Sequence, residues 1–389
     1  MPSCLVLDAE MQCSLPVIES LRKQGFRVTV GSHKRINMGF FSKYPNERVI
    51  YPAPKTSPLA FFDRILDLAK EHRYDFILPT DDISSEILLA RKELLESHTR
   101  LPLVPYDIFI KARDKSKTLK IAIQNNVPCP TTFFPDEQEL DDIAKHAQYP
   151  VLVKANISSG ARGISFVTKR EDLKDAYHEV KATFGECHIQ EYIPKGGEQH
   201  KADLFLDRVQ ELKAGIVYSK LRYFPVNGGS SIVNRTIHHP LIIQNAHRLL
   251  KAMGWYGFAD FDFITDPRDG IPKIMEINPR FPACFRITLA AGVDFPNLLA
   301  KLAMGEDIPR VDGYKLDVFL RYLPLDVLWF IQSPERFRAT PSFFRFFGSE
   351  LYDQIISLRD PGPILGFGLE NLFALFDWES RKTRYSRGW

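Results

Sequence analysis

The chain has 389 residues, enough for two or three domains with substantial cores. Its 51 basic and 48 acidic side chains leave a net charge of +3, so whole-chain electrostatics gives no reason to expect a nucleic-acid partner. At 44% hydrophobic and 25% charged, the composition is ordinary for a soluble globular protein and too apolar for a disordered one, and no uninterrupted apolar run approaches the roughly 18 residues of a membrane span.

The opening MPSCLVLDAE has no basic n-region and meets an acid at Asp8, which excludes a secretory signal reading. Five cysteines (Cys4, Cys13, Cys129, Cys187, Cys284) lie far apart, with no C-x-x-C pair and no histidine at zinc spacing. They read as buried thiols in a reducing compartment, so a cytoplasmic location is expected. Cys4 to Leu7 and Phe26 to Val30 read as buried strands, with a helix between them closing at Gly25. A helix from Leu59 to Lys70 places Leu59, Phe62, Ile65, Leu66 and Ala69 on one face, and Tyr74 to Leu78 gives another strand. Strand, helix, strand, helix is the pattern of a doubly wound α/β unit. The turn Asp8-Ala9-Glu10-Met11-Gln12 lacks G-x-G-x-x-G and is a poor NAD site. Asp81 and Asp82 stand where a strand gives way to a helix and are read as caps.

From Ala112 the character changes. Asp114-Lys115 opens a helix closing near Asn125-Asn126, and Val127 to Pro130 is an extended linker. Tyr149 to Lys154 is a strand, followed by the loop Ser158-Ser159-Gly160-Ala161-Arg162-Gly163 and a second strand, Ile164 to Val167. A P-loop would run into a helix and end in G-K-[ST], which is absent. His188 to Ile193 is a further strand. Phe258 to Ile264 and Lys273 to Ile277 form a hairpin about Asp269-Gly270. The last 75 residues, Lys315 to Trp389, hold 16 aromatics and five prolines (Pro324, Pro334, Pro341, Pro361, Pro363), which predicts interrupted helices and a separate appendage. Its closing basic run, Arg381 to Arg387, is read as packing on the protein rather than on a membrane.

Chemistry concentrates in Asp262 and the run Ile274 to Arg280. Residues two apart on a strand share a face, so Glu276 and Asn278 point together, and Asp262 joins them across the turn. Two carboxylates and an amide oxygen without Cys or His are hard ligands that suit Mg²⁺ (or Mn²⁺) on nucleotide phosphates. Arg280 follows as a fixed guanidinium for a carboxylate or phosphoryl oxygen. Lys115 and Lys154, the latter ending an apolar strand before a glycine-rich loop, fit a phosphate grip.

These motifs together resemble the ATP-grasp superfamily, especially carboxylate–amine ligases and the large subunit of carbamoyl-phosphate synthase, over roughly residues 1 to 310. The motifs carrying the resemblance are Asp114-Lys115, Val151-x-Val153-Lys154, the Ser158 to Gly163 loop, Gln190 to Ile193, Glu198 and Glu276 to Arg280. The resemblance implies a fold that is α/β (α+β overall): a Rossmann-like pre-ATP-grasp domain (1–110), a nucleotide subdomain (111–192), a metal and substrate subdomain (193–314) and a small C-terminal appendage (315–389). It implies that Lys115 and Lys154 hold the phosphates of ATP while Ser159, Gly160 and Gly163 close over them. It further implies that Glu191, Tyr192 and Ile193 meet adenine largely through backbone groups and that Glu198 binds the ribose. Asp262, Glu276 and Asn278 would carry two magnesium ions, and Arg280 would steady an acyl phosphate.

Two departures bear on the chemistry. Where relatives place a residue such as histidine against the reacting phosphoryl group, this chain has Asn227-Gly228-Gly229-Ser230-Ser231, so Asn227 and Ser230 are the candidates. Two residues before the first metal ligand stands Asp260, where some ligases have arginine; it is a candidate amine contact, as Arg235 and His239 are candidate pocket residues. The expected activity is ATP-dependent joining of a small-molecule carboxylate to an amine through an acyl phosphate. The alternatives are an ATP-dependent carboxylase or carbamoyl-forming enzyme, or an inactive nucleotide-binding protein. No nucleic acid and no membrane contact is expected, and the resemblance allows a homodimer.

Overall fold

A computed structural model describes residues 1–158, 162–226, 228–346 and 348–376. The chain opens with a four-stranded parallel sheet ordered Glu47–Ile50, Arg27–Ser32, Ser3–Val6, Phe76–Leu78. Its central strands are apolar runs buried on both faces, as a helix-covered parallel sheet requires. Glu47–Ile50 lies at the edge, half exposed, and is too short for its period to have been read from the sequence. The helix Pro58–His72 buries Phe61, Phe62, Ile65, Leu68 and Ala69. Leu59, predicted on that face, is exposed because it sits in the first turn, off the stripe that actually meets the sheet.

A second, antiparallel sheet runs Thr132–Phe133, Cys187–Glu191, Val151–Ala155, Ile164–Val167. The helix Leu173–Phe184 covers it through Leu173, Tyr177 and Val180. Gly163, expected to touch nucleotide, has a structural role at the entry to the hairpin's second strand. Its φ is +68° and a Cβ there would come within 2.8 Å of the Ala155 Cβ, so any other residue is strained and crowded.

The third sheet has seven strands in the order Pro272–Asn278, Gly257–Thr265, Gln199–Leu206, Leu212–Phe224, Ser230–Ile237, Phe319–Arg321, Leu351–Asp353. All neighbours are antiparallel except the last pair. Strand alternation divides its two faces. Ala202, Leu204, Phe261 and Ile277 pack with Leu249 and Leu250 of the helix Pro240–Met253 on one side. Phe205, Ile216 and Phe258 pack with Phe285, Phe295 and the first domain on the other.

The aromatic-rich segment from Lys315 onward completes this sheet rather than folding apart from it. Phe319–Arg321 covers the edge of Ser230–Ile237, whose unpaired backbone groups would otherwise face water. Nor do its prolines prevent a long helix: Gly362–Phe376 spans 15 residues, with Pro363 in the first turn, where a missing N–H costs nothing. That helix packs on the short helix Met38–Phe41, and Glu370 meets Lys34 at 2.6 Å. No described helix is long and apolar enough to cross a membrane.

Candidate functional site

The register of the third sheet lines up two cross-strand rungs of polar residues on the face toward the first domain. Asn278, Asp260 and Asp203 stand opposite one another, and Glu276, Asp262 and Lys201 form the next rung. From the fourth strand, Tyr218 and Lys220 reach into the same ladder. Lys201 Nζ lies 2.7 Å from Asp260 and 3.0 Å from Asp262. Lys220 Nζ contacts the other oxygen of Asp262. Asn278 Nδ2 donates to Asp260 at 2.9 Å and to Asp262 at 3.1 Å. Tyr218 donates to Asp203 at 3.2 Å.

Burial alone would push the Asp262 carboxyl up, but the Lys201 and Lys220 ammoniums outweigh it and hold the group well below the usual range. Asp260 has the opposite fate: burial raises it to about 6 despite Lys201. Asp203 is raised well above the usual range by burial and then by Asp260 beside it. One oxygen each of Asp203 and Asp260 is buried without another partner, which a proton held between the two acids satisfies. Asp260 is fully buried, so it supports the ladder and offers no surface to a substrate amine.

The lysine pair converges on the open end of this ladder. The helix Lys115–Gln124 is capped by Asp114, which accepts from the Ser116 and Lys117 amides. This cap aims Lys115 at the Ser158 carbonyl, 3.1 Å away, and at Glu276, 3.3 Å away. Lys154 is buried and donates to Gln190 at 3.1 Å. Burial lowers its ammonium to about 8, with Glu276 opposing. Glu276 thus receives one lysine directly and feels the other.

At the hinge strand, the Glu191 side chain is committed to the protein: it accepts from the Thr131 amide at 2.8 Å and pairs with Arg268 at 2.9 Å. The Glu191 and Tyr192 amides already donate to Thr131 and Pro150 carbonyls, which narrows the backbone contacts left for a ligand. Ile193 is buried beside them, and the Tyr192 ring meets Phe166 edge-on at 5.1 Å. Glu198 has its side chain 78% exposed, 3.7 Å from the His200 ring.

Arg280 leaves the strand Pro272–Asn278 toward the first domain, where its Nε lies 2.9 Å from Asp82. Asp82 is therefore an ion-pair partner rather than a cap, whereas Asp81 does cap its helix by accepting from the Ile83 amide. Ser230 begins its strand, exposed. Arg235 lies within that strand and pairs with Asp317 at 2.5 Å. The His239 ring lies 5.5 Å from that of His200, tilted by 59°. Ser159, Gly160 and Asn227, with Arg381 to Arg387, lie outside the described residues.

Sequence reasoning missed Lys201, Asp203 and Lys220. The signal was present: Lys201 and Asp203, two apart in an otherwise apolar strand, must share a face, and a buried strand does not carry charge without partners. What was not visible is which strand lies beside Asp262.

For a divalent ion, Glu276 fits. Its carboxylate is partly exposed and shares with Asp262 a face toward which Lys115 and Lys154 point. Hard oxygen donors beside phosphate-binding lysines suit magnesium. Among the described residues no group of three or more His, Cys, Asp or Glu side chains is placed to hold a metal ion, here or elsewhere.

Residues 111–199 match the ATP-binding domain of the carbamoyl-phosphate synthase L chain, and residues 225–322 match a family described as ATP-grasp in the biosynthetic pathway with Ter operon. Over these two stretches the chain is similar to the ATP-grasp superfamily. It is 24% identical to a D-aspartate ligase of Enterococcus faecium over 264 residues, 62% of each chain. It is 28% identical to a D-alanine–D-alanine ligase of Pelotomaculum thermopropionicum over 219 residues, 49% of this chain and 67% of that one. The chain thus spans less than two thirds of the D-aspartate ligase. In fold it resembles a biotin carboxylase of Campylobacter jejuni, with a TM-score of 0.68 at 18% identity, covering 82% of this chain and 74% of that one.

Proposed function

We propose that the chain is an ATP-dependent carboxylate–amine ligase that works through an acyl phosphate and releases ADP and phosphate. The observation that carries this reading is the convergence of Lys115, Lys154 and the Asp262 ladder on Glu276. Such a site surrounds an anionic acceptor with cations, and Asp262, held by Lys201 and Lys220, is not free to act as base toward a hydroxyl, which suits a carboxylate rather than an alcohol as acceptor. Lys115 and Lys154 would bind the phosphates and orient the terminal one. Glu198 would hold the ribose, and Tyr192 and Ile193 would line the base. Glu276, with Asp262 behind it, would hold magnesium, which when bound neutralises phosphate charge. Arg280, steadied by Asp82, would orient the carboxylate and its acyl phosphate. Two of the named relatives are by name a D-aspartate ligase and a D-alanine–D-alanine ligase, which favours an amino acid or peptide-like substrate pair.

With the substrate carboxylate labelled by ¹⁸O, one label is expected in the released phosphate, because the bridging oxygen leaves with phosphorus. Hydroxylamine in place of the amine is expected to trap a hydroxamate. AMP and pyrophosphate, or phosphate without label, would overturn the reading.

Lys154 adds a pH dependence. Its ammonium is charged below about 8 and neutral above. A bound triphosphate favours the charged form, so binding near that pH takes up a proton and weakens as pH rises. The Kd of a non-hydrolysable ATP analogue is expected to increase between pH 7 and pH 9, by up to about tenfold per pH unit. Lys154→Met is expected to bind weakly and to flatten that part of the profile. An unchanged slope in the variant would assign the dependence elsewhere.

A further inference from the structure

The resemblance to ATP-grasp enzymes implies two magnesium ions on Asp262, Glu276 and Asn278, and the ladder leaves oxygens for one. On the reading that this site holds a metal-bound nucleotide, we propose that the Lys201 ammonium is a permanent cation of the site that replaces one of the two ions, so that the chain holds its nucleotide with a single divalent ion at Glu276.

Three features of the geometry support this. Lys201 lies on an interior strand, 8% exposed, and its register opposite Asp262 fixes where its side chain goes. Its ammonium bridges Asp260 and Asp262 at 2.7 and 3.0 Å, so withdrawing it would leave the buried Asp260 and the partly buried Asp262 without their shared counter-charge. Next, both oxygens of Asp262 are already engaged by protein donors. One oxygen receives Lys201 and the Asn278 amide, and the other receives Lys220. Only the NH₂ end of Asn278 can face two carboxylate oxygens at once, so its carbonyl oxygen is turned away from the place where a shared ion would sit. Finally, Glu276 differs from both aspartates: its side chain is 30% exposed and the described ladder gives it only Lys115, at 3.3 Å. It is the carboxylate with oxygen to spare. Lys220 holds the second oxygen of Asp262, its side chain only 15% exposed.

The test counts metal ions directly. Mn²⁺ bound in the presence of a saturating non-hydrolysable ATP analogue is measured by electron paramagnetic resonance, and the analogue's own binding is measured separately by a fluorescent competitor. Wild type is expected to bind one Mn²⁺ per nucleotide. Lys201→Met alone leaves Asp260 unpaired and is at risk of misfolding, so Lys201→Met combined with Asp260→Asn, which removes one charge of each sign, is measured beside it. A folded, nucleotide-binding variant is expected to take up a second Mn²⁺. Two ions on wild type, or one ion on the folded variant, would overturn the proposal while leaving the nucleotide reading intact. Failure of wild type to bind the analogue would overturn that reading and the proposal with it.

Discussion

Glu276→Gln is expected to leave the fold intact and to lower turnover by at least about a hundredfold, roughly 2.7 kcal/mol of transition-state stabilisation. The amide has the shape of the carboxylate but not its charge, and Glu276 is where Lys115 and the proposed metal meet. Because the side chain is partly exposed and holds no element in place, circular dichroism and the denaturation midpoint are expected to match wild type. Binding of free nucleotide through Lys115 and Lys154 is expected to survive better than turnover. A purified variant keeping more than half of wild-type activity would refute the assignment of Glu276 to metal.

The largest loss of stability is expected not at this site but at Asp326. This carboxylate is fully buried at the start of the helix Leu323–Gln332, and accepts two bonds from Arg222 at 2.9 Å each, with Arg321 Nε at 2.7 Å. The two guanidiniums also lie over aromatic rings, Arg222 over Trp329 at 4.7 Å and Arg321 over Phe343 at 4.8 Å. Asp326→Ala would leave two buried cations without the carboxylate they share, a loss of about 3–5 kcal/mol. Chemical denaturation followed by tryptophan fluorescence would detect it, since Trp329 sits in the cluster. Arg222 also stands at the irregularity two residues beyond Lys220, so loosening it is expected to disturb the contact of Lys220 with Asp262 and to raise the KM for nucleotide. A variant with unchanged midpoint and KM would show that the C-terminal segment does not brace this strand.

Most of the local architecture was legible because it is written in short periods. Apolar runs gave the parallel strands, Asp114 announced its helix, and the Asp269-Gly270 turn fixed the hairpin that sets Asp262 directly opposite Glu276. What the sequence did not reveal is long-range pairing. The strand Gln199–Leu206 lies beside Gly257–Thr265 although some fifty residues separate them, and only that neighbour relation turns Lys201 and Asp203 into part of the site. The same holds for Asp82, far ahead of the Arg280 it receives. The aromatic density after Lys315 was visible, but its use to finish a sheet depends on an edge that composition cannot show.

The two-faced character of the strand Gln199–Leu206 constrains how such a protein can change over time. Inserting or deleting one residue within it would swap its faces beyond that point, carrying Lys201 and Asp203 toward the apolar helix Pro240–Met253 and presenting Ala202 and Leu204 to the site. No later substitution at a single position repairs that exchange. Length variation is therefore tolerable only where the strands end, in the turns and loops around the opening. New substrate preferences would be acquired there, while the strand lengths inside the sheet stay fixed.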